Sequence, residues 1–466
     1  MNIERFYLSC LSHASYIISS EGEAAVIDPQ RDVDIYLDYL ERHGLTLRYV
    51  VETHLHADFV SGHLELARRT GAEIVISHRA GARFPHHSAR EGGELRLGSA
   101  LLRIIETPGH TPEGITIAVT DSHTPDEPAV LFTGDTLFAG DVGRPDLLGA
   151  VGITKEDLAG ALYESLHTKI LTFPDETRIY PAHGAGSSCG KALRSVEFST
   201  IGAEKLSNYA LKPMSREEFI STITEGQPEA PGYFLADAAI NRAGASELAV
   251  VIGGARGLDV EELTRAMAPE GTVLLDTRDP ETFSRGFIPG SINIGLDGQF
   301  ATWVGTLLPM GVRLVIVAEP GREEEAVMRC ARVGYDHIVG YLAGGFEAWR
   351  ASGLPVEHFS RLDPPELRSL MEGEDAPLVI DVRRDAERAG ASIPGTRFVT
   401  LSALESHVDE LRADGRPIVV QCAGGYRSAM AASILMKHGV ADVSDLRGGM
   451  AAWQKDAEAR AREQVA

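Results

Sequence analysis

Short apolar runs broken by turns set the rhythm of the first half of the chain. Residues 16–18, 24–27, 48–51, 74–76, 101–105, 115–119 and 130–132 each carry the compact aliphatic run of a buried strand. Residues 32–43 and 58–70 change period. Their apolar positions recur at helical spacing, and each stretch opens on a carboxylate that suits a helix start. This pattern alone predicts an α/β domain over residues 1–235. A Pro/Gly cluster, Glu225-Gly226-Gln227-Pro228-Glu229-Ala230-Pro231-Gly232, then reads as a linker, and residues 246–257 and 269–271 bracket a further entry into folded structure.

The second half repeats itself. Leu274-Leu275-Asp276-Thr277-Arg278 recurs as Val379-Ile380-Asp381-Val382-Arg383, and Ile288-Pro289-Gly290 as Ile393-Pro394-Gly395. Leu342-Ala343-Gly344-Gly345-Phe346-Glu347-Ala348-Trp349 recurs as Leu446-Arg447-Gly448-Gly449-Met450-Ala451-Ala452-Trp453. Each landmark returns after about 105 residues, which predicts two copies of one small parallel α/β domain, 236–355 and 356–466.

Composition narrows the function classes. At 466 residues the chain exceeds one ordinary core, so several domains are expected. A net charge of −23 argues against a nucleic-acid partner or an anionic membrane surface. No apolar run is long enough to span a bilayer, and Glu4, Arg5 and His13 interrupt the first 20 residues, unlike a signal peptide. Four scattered cysteines, Cys10, Cys189, Cys330 and Cys422, make no disulfide framework, so a reducing, cytoplasmic location is expected. A homo-oligomer is the general expectation for such a chain.

Four strand ends carry ligand-type residues. They are Thr53-His54-Leu55-His56-Ala57-Asp58-Phe59-Val60-Ser61-Gly62-His63, Thr107-Pro108-Gly109-His110, Thr133-Gly134-Asp135-Thr136 and Tyr180-Pro181-Ala182-His183. T-H-x-H-x-D, P-G-H-T, T-G-D-T and P-A-H in this order resemble the metallo-β-lactamase superfamily, which implies an αββα sandwich. Binuclear members carry a histidine straight after T-H-x-H-x-D. Phe59 stands there in this chain and cannot ligate. The resemblance therefore implies one metal, held by His54, His110 and Asp135, with His56, Asp58 and His183 as supporting or substrate-facing groups. Two imidazoles and one carboxylate with open positions suit Fe(II), and zinc and manganese fit the same donors. A single-metal site resembles the persulfide dioxygenase branch, which implies oxidation of a low-molecular-weight thiol persulfide by O2 to sulfite. Arg144 resembles that branch's arginine beside the substrate. The loop Gly184-Ala185-Gly186-Ser187-Ser188-Cys189-Gly190-Lys191 follows His183 and offers Cys189 and Lys191. Cys189 reads equally as a sulfur acceptor or as a small loop residue, His63 as a helix residue, and Cys10 as core on an early strand.

D-x-R, I-P-G, a cysteine loop and G-G-x-x-A-W resemble the rhodanese family. In the second copy the strand 418–421 ends at Cys422-Ala423-Gly424-Gly425-Tyr426-Arg427-Ser428, and a helix over 428–438 follows. A thiol between a strand end and a helix start meets N–H donors and the positive end of the helix dipole, which favour thiolate. Gly424 and Gly425 let the loop curl around the sulfur, and Arg427 adds a cation. The first copy has Val317-Ala318-Glu319-Pro320-Gly321-Arg322 instead, without a thiol, and reads as catalytically dead. Cys330 falls at a core position. The whole is similar to the fused persulfide dioxygenase–sulfurtransferases of bacterial sulfide detoxification, which implies thiosulfate formation through Cys422. Tethering the two centres raises the effective concentration of a reactive intermediate. Two other readings remain open: a thioester hydrolase of the glyoxalase II type with a rhodanese tail, and a non-catalytic sulfur-sensing scaffold.

Overall fold

Period-2 alternation builds the first unit. The structure, a computed structural model, describes residues 1–147, 152–227 and 230–465; Pro228 and Glu229 of the expected linker lie outside them. One six-stranded sheet runs β1 (Asn2–Leu8), β2 (His13–Ser20), β3 (Glu23–Ile27), β4 (Thr46–Val51), β5 (Glu73–Ser77) and β6 (His87–Ala89) in chain order. The other contains β7 (Glu94–Leu97), β8 (Ala100–Glu106), β9 (Ile115–Asp121), β10 (Val130–Gly134), β11 (Arg178–Pro181) and β12 (Ser199–Thr200). Tyr16, Ile18, Ile104, Ile117 and Phe132 point into one core shared by the two sheets. Their neighbours point the other way. Ile17 and Val26 face α1 (Asp34–His43) and α2 (His63–Thr70). Ile105, Ala118 and Leu131 face α3 (Lys155–Thr168), α4 (Ile201–Ser207) and α5 (Arg216–Thr224). Alternation thus sorts each strand's side chains into two cores, and the αββα layering follows.

Three sequence expectations change. The helix expected from 58 begins at His63, because Asp58–Gly62 spends its backbone groups on tertiary partners: Gly62 N–H donates to the Pro29 carbonyl. Cys10 lies in the turn between β1 and β2, not on a strand, and is buried there. The expected boundary at 235 falls inside α6 (Phe234–Ala243), and the first compact unit runs on to Val250 and includes Cys330–Asp336. Cys330 is buried, as a core position requires.

The second unit holds two five-stranded sheets of one topology. The first is ordered β13 (Arg256–Leu258), β17 (Ile338–Leu342), β16 (Arg313–Val317), β14 (Thr272–Asp276), β15 (Ile292–Asn293). The second is ordered β18 (Ser360–Leu362), β22 (Val443–Leu446), β21 (Ile418–Gln421), β19 (Leu378–Asp381), β20 (Arg397–Phe398). All their pairings are parallel. The repeated landmarks have structural work. Trp349 and Trp453 close equivalent cores. In each D-x-R the arginine folds back on the aspartate: Arg383 reaches Asp381 through Nε and Nη2 at 2.7–3.1 Å, and its Nη2 also donates to the Ala391 carbonyl. Both side chains are buried. Asp381→Ala would strand that guanidinium and is expected to destabilise the domain by about 3–5 kcal/mol, seen as an earlier urea transition. An unshifted midpoint contradicts this account.

Candidate metal centre and cysteine loop

His54 follows β4, His110 follows β8 and Asp135 follows β10, so three strand ends converge at one edge of the sandwich. All three side chains are buried. Their donor atoms lie within 4.8 Å of one another. Nε2 of His110 is 3.5 Å and Nε2 of His54 is 4.0 Å from Asp135 Oδ2. The close approach of the two sheets requires Gly134: its φ is +50°, and a Cβ there would sit 2.4 Å from Thr53 Oγ1.

The far side of each ligand is tied down. Thr53 gives its N–H and its hydroxyl to Asp28, so Thr53 Oγ1 accepts from His54 Nδ1 at 3.0 Å. His110 Nδ1 donates to the Arg144 carbonyl at 2.8 Å. These bonds assign the proton to Nδ1 and leave each Nε2 with a lone pair toward Asp135. Burial pushes His54 well below the usual imidazole range and His110 below it, so both imidazoles are neutral. Burial opposes the charge on Asp135, but His183, His54 and His110 hold it well below the usual carboxylate range. Asp135 Oδ1 accepts from His183 Nδ1 at 2.8 Å, whereas Oδ2 has no hydrogen-bond partner. A charged oxygen without a donor, facing two imidazole lone pairs, is the environment of a bound cation. The donor set fits a divalent metal.

The remaining residues of the motifs form a surrounding layer. His183 stands between Asp135 and Asp58, its Nε2 2.8 Å from Asp58 Oδ2; burial opposes its charge, yet the two carboxylates hold it well above the usual range. His56 turns away from the centre, with Nε2 3.2 Å from Asp28 and 3.6 Å from Glu52. Burial again opposes the charge, but those carboxylates bring it up to about 9. His63 opens α2 and faces Glu52 at 3.3 Å. Phe59 is buried, its ring centroid 4.4 Å from that of His56 and 4.1 Å from that of His13. Phe59 thus packs on His13 and His56 and offers no ligand atom, while Asp58, His183 and Cys189 bring their own donor atoms within 4.8 Å of one another. His13, fully buried at the start of β2, was not visible as a site residue in sequence, because it sits in an ordinary strand run without a motif.

Two expected substrate groups do other work. Arg144 is buried and spends Nε and Nη2 on Asp146 at 2.7 and 2.8 Å. Its Nη1 donates to Ser188 and its N–H to the Cys189 carbonyl, so it braces the His110 ring and the Cys189 loop rather than presenting an open cation. Lys191 caps the end of α5, donating to the carbonyls of Thr222 and Glu225 at 2.9 and 2.8 Å. Cys189 itself is buried beside Asp58 and His183. Burial, then the Asp58 and Asp135 carboxylates, push its thiol up to about 12.

In the second rhodanese copy Cys422 follows β21 directly and is buried. Gly425 N–H donates to its sulfur at 3.1 Å, and the Ser428 hydroxyl lies 3.7 Å away and donates to Asp445. The helix after it spans Arg427–Lys437. Arg427 makes a bidentate pair with Glu387 at 2.5 and 2.7 Å, so its hydrogen bonds go to a carboxylate and only its field reaches the sulfur. Arg361, missed in sequence, holds the Gly425 carbonyl and Asp445. A Cβ on Gly424 would meet nothing within 4 Å, so the loop is open there. The Gly-Gly pair has a steric reason: at Gly449, with φ +54°, a Cβ would lie 2.2 Å from the Cys422 carbonyl, which Met450 N–H caps at 2.7 Å. A cavity of about 440 Å³ beside the loop is lined by Arg384, Glu387, Tyr426 and Arg427 and, from the first copy, Asp297, Gln299 and Trp303. In that first copy Arg322 is paired with Asp297 and Glu325.

Residues 8–183 match the metallo-beta-lactamase superfamily, and residues 259–352 and 363–456 each match the rhodanese-like domain. The chain is 34% identical to the mitochondrial persulfide dioxygenase ETHE1 of Mus musculus over 207 residues, 43% of this chain and 71% of that protein. It is also 34% identical to a hydroxyacylglutathione hydrolase of Rhodopseudomonas palustris over 167 residues, 35% of this chain and 59% of that protein. Among solved structures, a metallo-beta-lactamase from Staphylococcus aureus superposes with a TM-score of 0.66 at 32% identity, covering 73% of this chain and 98% of that one.

Two substitutions check the geometry. Phe59→His is expected to raise the number of ions bound per chain, measured by elemental analysis after reconstitution; unchanged content contradicts the reading that Phe59 withholds a ligand. Gly449→Ala is expected to lower sulfur transfer by at least about tenfold, a barrier change of ~1.4 kcal/mol, while metal content stays at wild type.

Proposed function

We propose, for a chain that belongs to the metallo-β-lactamase superfamily and carries two rhodanese-like domains behind its metal domain, a persulfide dioxygenase joined to a sulfurtransferase. The observation that carries this reading is the unpaired Oδ2 of Asp135 facing two neutral imidazoles, with Phe59 in the place of a further ligand. His54, His110 and Asp135 would hold one Fe(II). When bound, it supplies open positions and an electron source for O2. The net reaction takes a thiol persulfide, O2 and water to the thiol, sulfite and two protons.

The chain's own residues set the conditions for it. Thr53 and the Arg144 carbonyl keep the two imidazoles in one tautomer. His183 and Asp58 form a charged pair beside Asp135, within reach of the protons the reaction releases. Phe59 and His13 pack ring on ring next to His56, which makes that part of the surroundings aromatic. Cys189 is a neutral thiol beside Asp58 and His183, placed to accept sulfur only after losing its proton.

At the second centre the Cys422 thiolate takes the outer sulfur of a thiol persulfide, whose S–S bond breaks and whose thiol leaves, and the resulting cysteine persulfide gives that sulfur to sulfite. This second S–S bond breaks, thiosulfate forms, and the cysteine thiolate is released to the Gly425 N–H and the helix N-terminus. Among the described residues no helix is long and apolar enough to cross a membrane. All four cysteines are free, which supports a reducing, cytoplasmic setting.

The hydrolase reading draws on the similar identity to a hydroxyacylglutathione hydrolase. Anaerobic loading with Fe(II), followed by glutathione persulfide in an oxygen electrode, separates the two. Rapid O2 uptake and sulfite release are expected. His110→Ala should abolish both, and Cys422→Ser should spare uptake while stopping thiosulfate. Turnover of lactoylglutathione without O2, in place of persulfide oxidation, overturns the assignment.

A further inference from the structure

The metal-binding loop between β4 and α2 has no regular structure, yet nearly every residue from Glu52 to Gly62 is buried. Its peptide groups cannot turn to water and must find partners inside the protein. One side chain meets three of them. Asn241 Nδ2 donates to the carbonyls of His56 and Phe59, and Asn241 Oδ1 accepts from Ser61 N–H, each at 2.8 Å. Asn241 is itself buried, on α6. Tyr233, at the start of the same helix, donates its hydroxyl to the Asp58 carbonyl at 3.3 Å. This helix lies well beyond residues 8–183, where the metal-domain family match ends.

We propose that Asn241 is a positioning residue for the metal centre. The residue type is specific. A primary amide gives two donors and an acceptor from one planar group, which is what two carbonyls and an N–H demand. Aspartate has the same shape and no donor, and alanine leaves all three peptide groups bare. By fixing the carbonyls on either side of Asp58, Asn241 sets where the loop leaves His54 and how the Phe59 ring seats against His56 and His13. It touches neither metal nor substrate and acts through the loop. The inference rests on the one-metal reading of that site.

The test uses the full chain as wild type, Asn241→Asp, Asn241→Ala and Leu235→Ala, the last an exposed position on the same helix. Affinity for Fe(II) and for Zn(II) is measured anaerobically by competition with a chromophoric chelator. Sulfur transfer by Cys422 in the same samples reports on the rest of the chain. Both Asn241 variants should bind metal about 10–100-fold more weakly, as loss of an outer-shell partner does. Leu235→Ala should match wild type, and sulfur transfer should be unchanged throughout. Wild-type metal affinity in Asn241→Asp and Asn241→Ala overturns the proposal. So does loss of sulfur transfer together with metal in both, which marks a general stability role. Wild-type protein that binds one metal but takes up no O2 defeats the dioxygenase reading alone and leaves the affinity comparison standing.

Discussion

A single carboxylate oxygen without a hydrogen-bond donor organises the metal domain. Burying an ionised group is unfavourable unless its charge is met, and Asp135 is met on one side only, by His183. Its other oxygen looks across to two imidazoles whose protons are held on the far nitrogens by Thr53 and the Arg144 carbonyl. Much of the surrounding layer is explained by this imbalance. Asp58 stands behind His183, Asp28 and Glu52 draw His56 out of the ligand set, and Phe59 packs its ring on His56. The strand ends bring the three ligands together, and the charge pairs behind them decide which nitrogens remain free.

The rhodanese-like half solves a related problem with backbone instead of side chains. Cys422 sits at a strand end, takes a hydrogen bond from Gly425, and has its carbonyl capped by Met450 N–H. The Gly448-Gly449 pair lets one chain segment pass close enough to make that cap. Cationic side chains near both centres turn out to be satisfied by neighbouring carboxylates: Arg144 by Asp146, Arg427 by Glu387. In both places the arginine braces a loop, and peptide groups or a ligand's lone pair face the reacting atom.

Much of this was legible along the chain, for local reasons. The sandwich layering was what the family resemblance implied; pattern alone reads as α/β, and seven strands stood out as apolar runs. The first strand did not, because β1 is an edge strand of half-exposed residues without clean alternation. Phe59 after T-H-x-H-x-D marked a missing histidine ligand, since a ring cannot ligate in any fold. The helix expected from 58 failed for the opposite reason. Its spacing was helical, but its peptide groups are claimed from outside, by Pro29 and by Asn241. Arg144 was placed near the substrate by family resemblance and Lys191 by proximity in sequence, and neither says anything of the carboxylate or helix end that each meets in space.

Sequence by itself determined the donor types, their order on successive strand ends, the repeat, and which repeat holds the thiol. These are properties of local pattern and of side-chain chemistry, and they survive whatever the chain does at a distance. Tertiary structure alone decided the ionisation of the buried histidines, the pairing of the arginines, and the role of a helix near residue 240 in shaping a loop near residue 56. Those depend on burial and on partners many tens of residues away, where the free energy of a hydrogen bond or a charge is set by surroundings that no single stretch of chain contains.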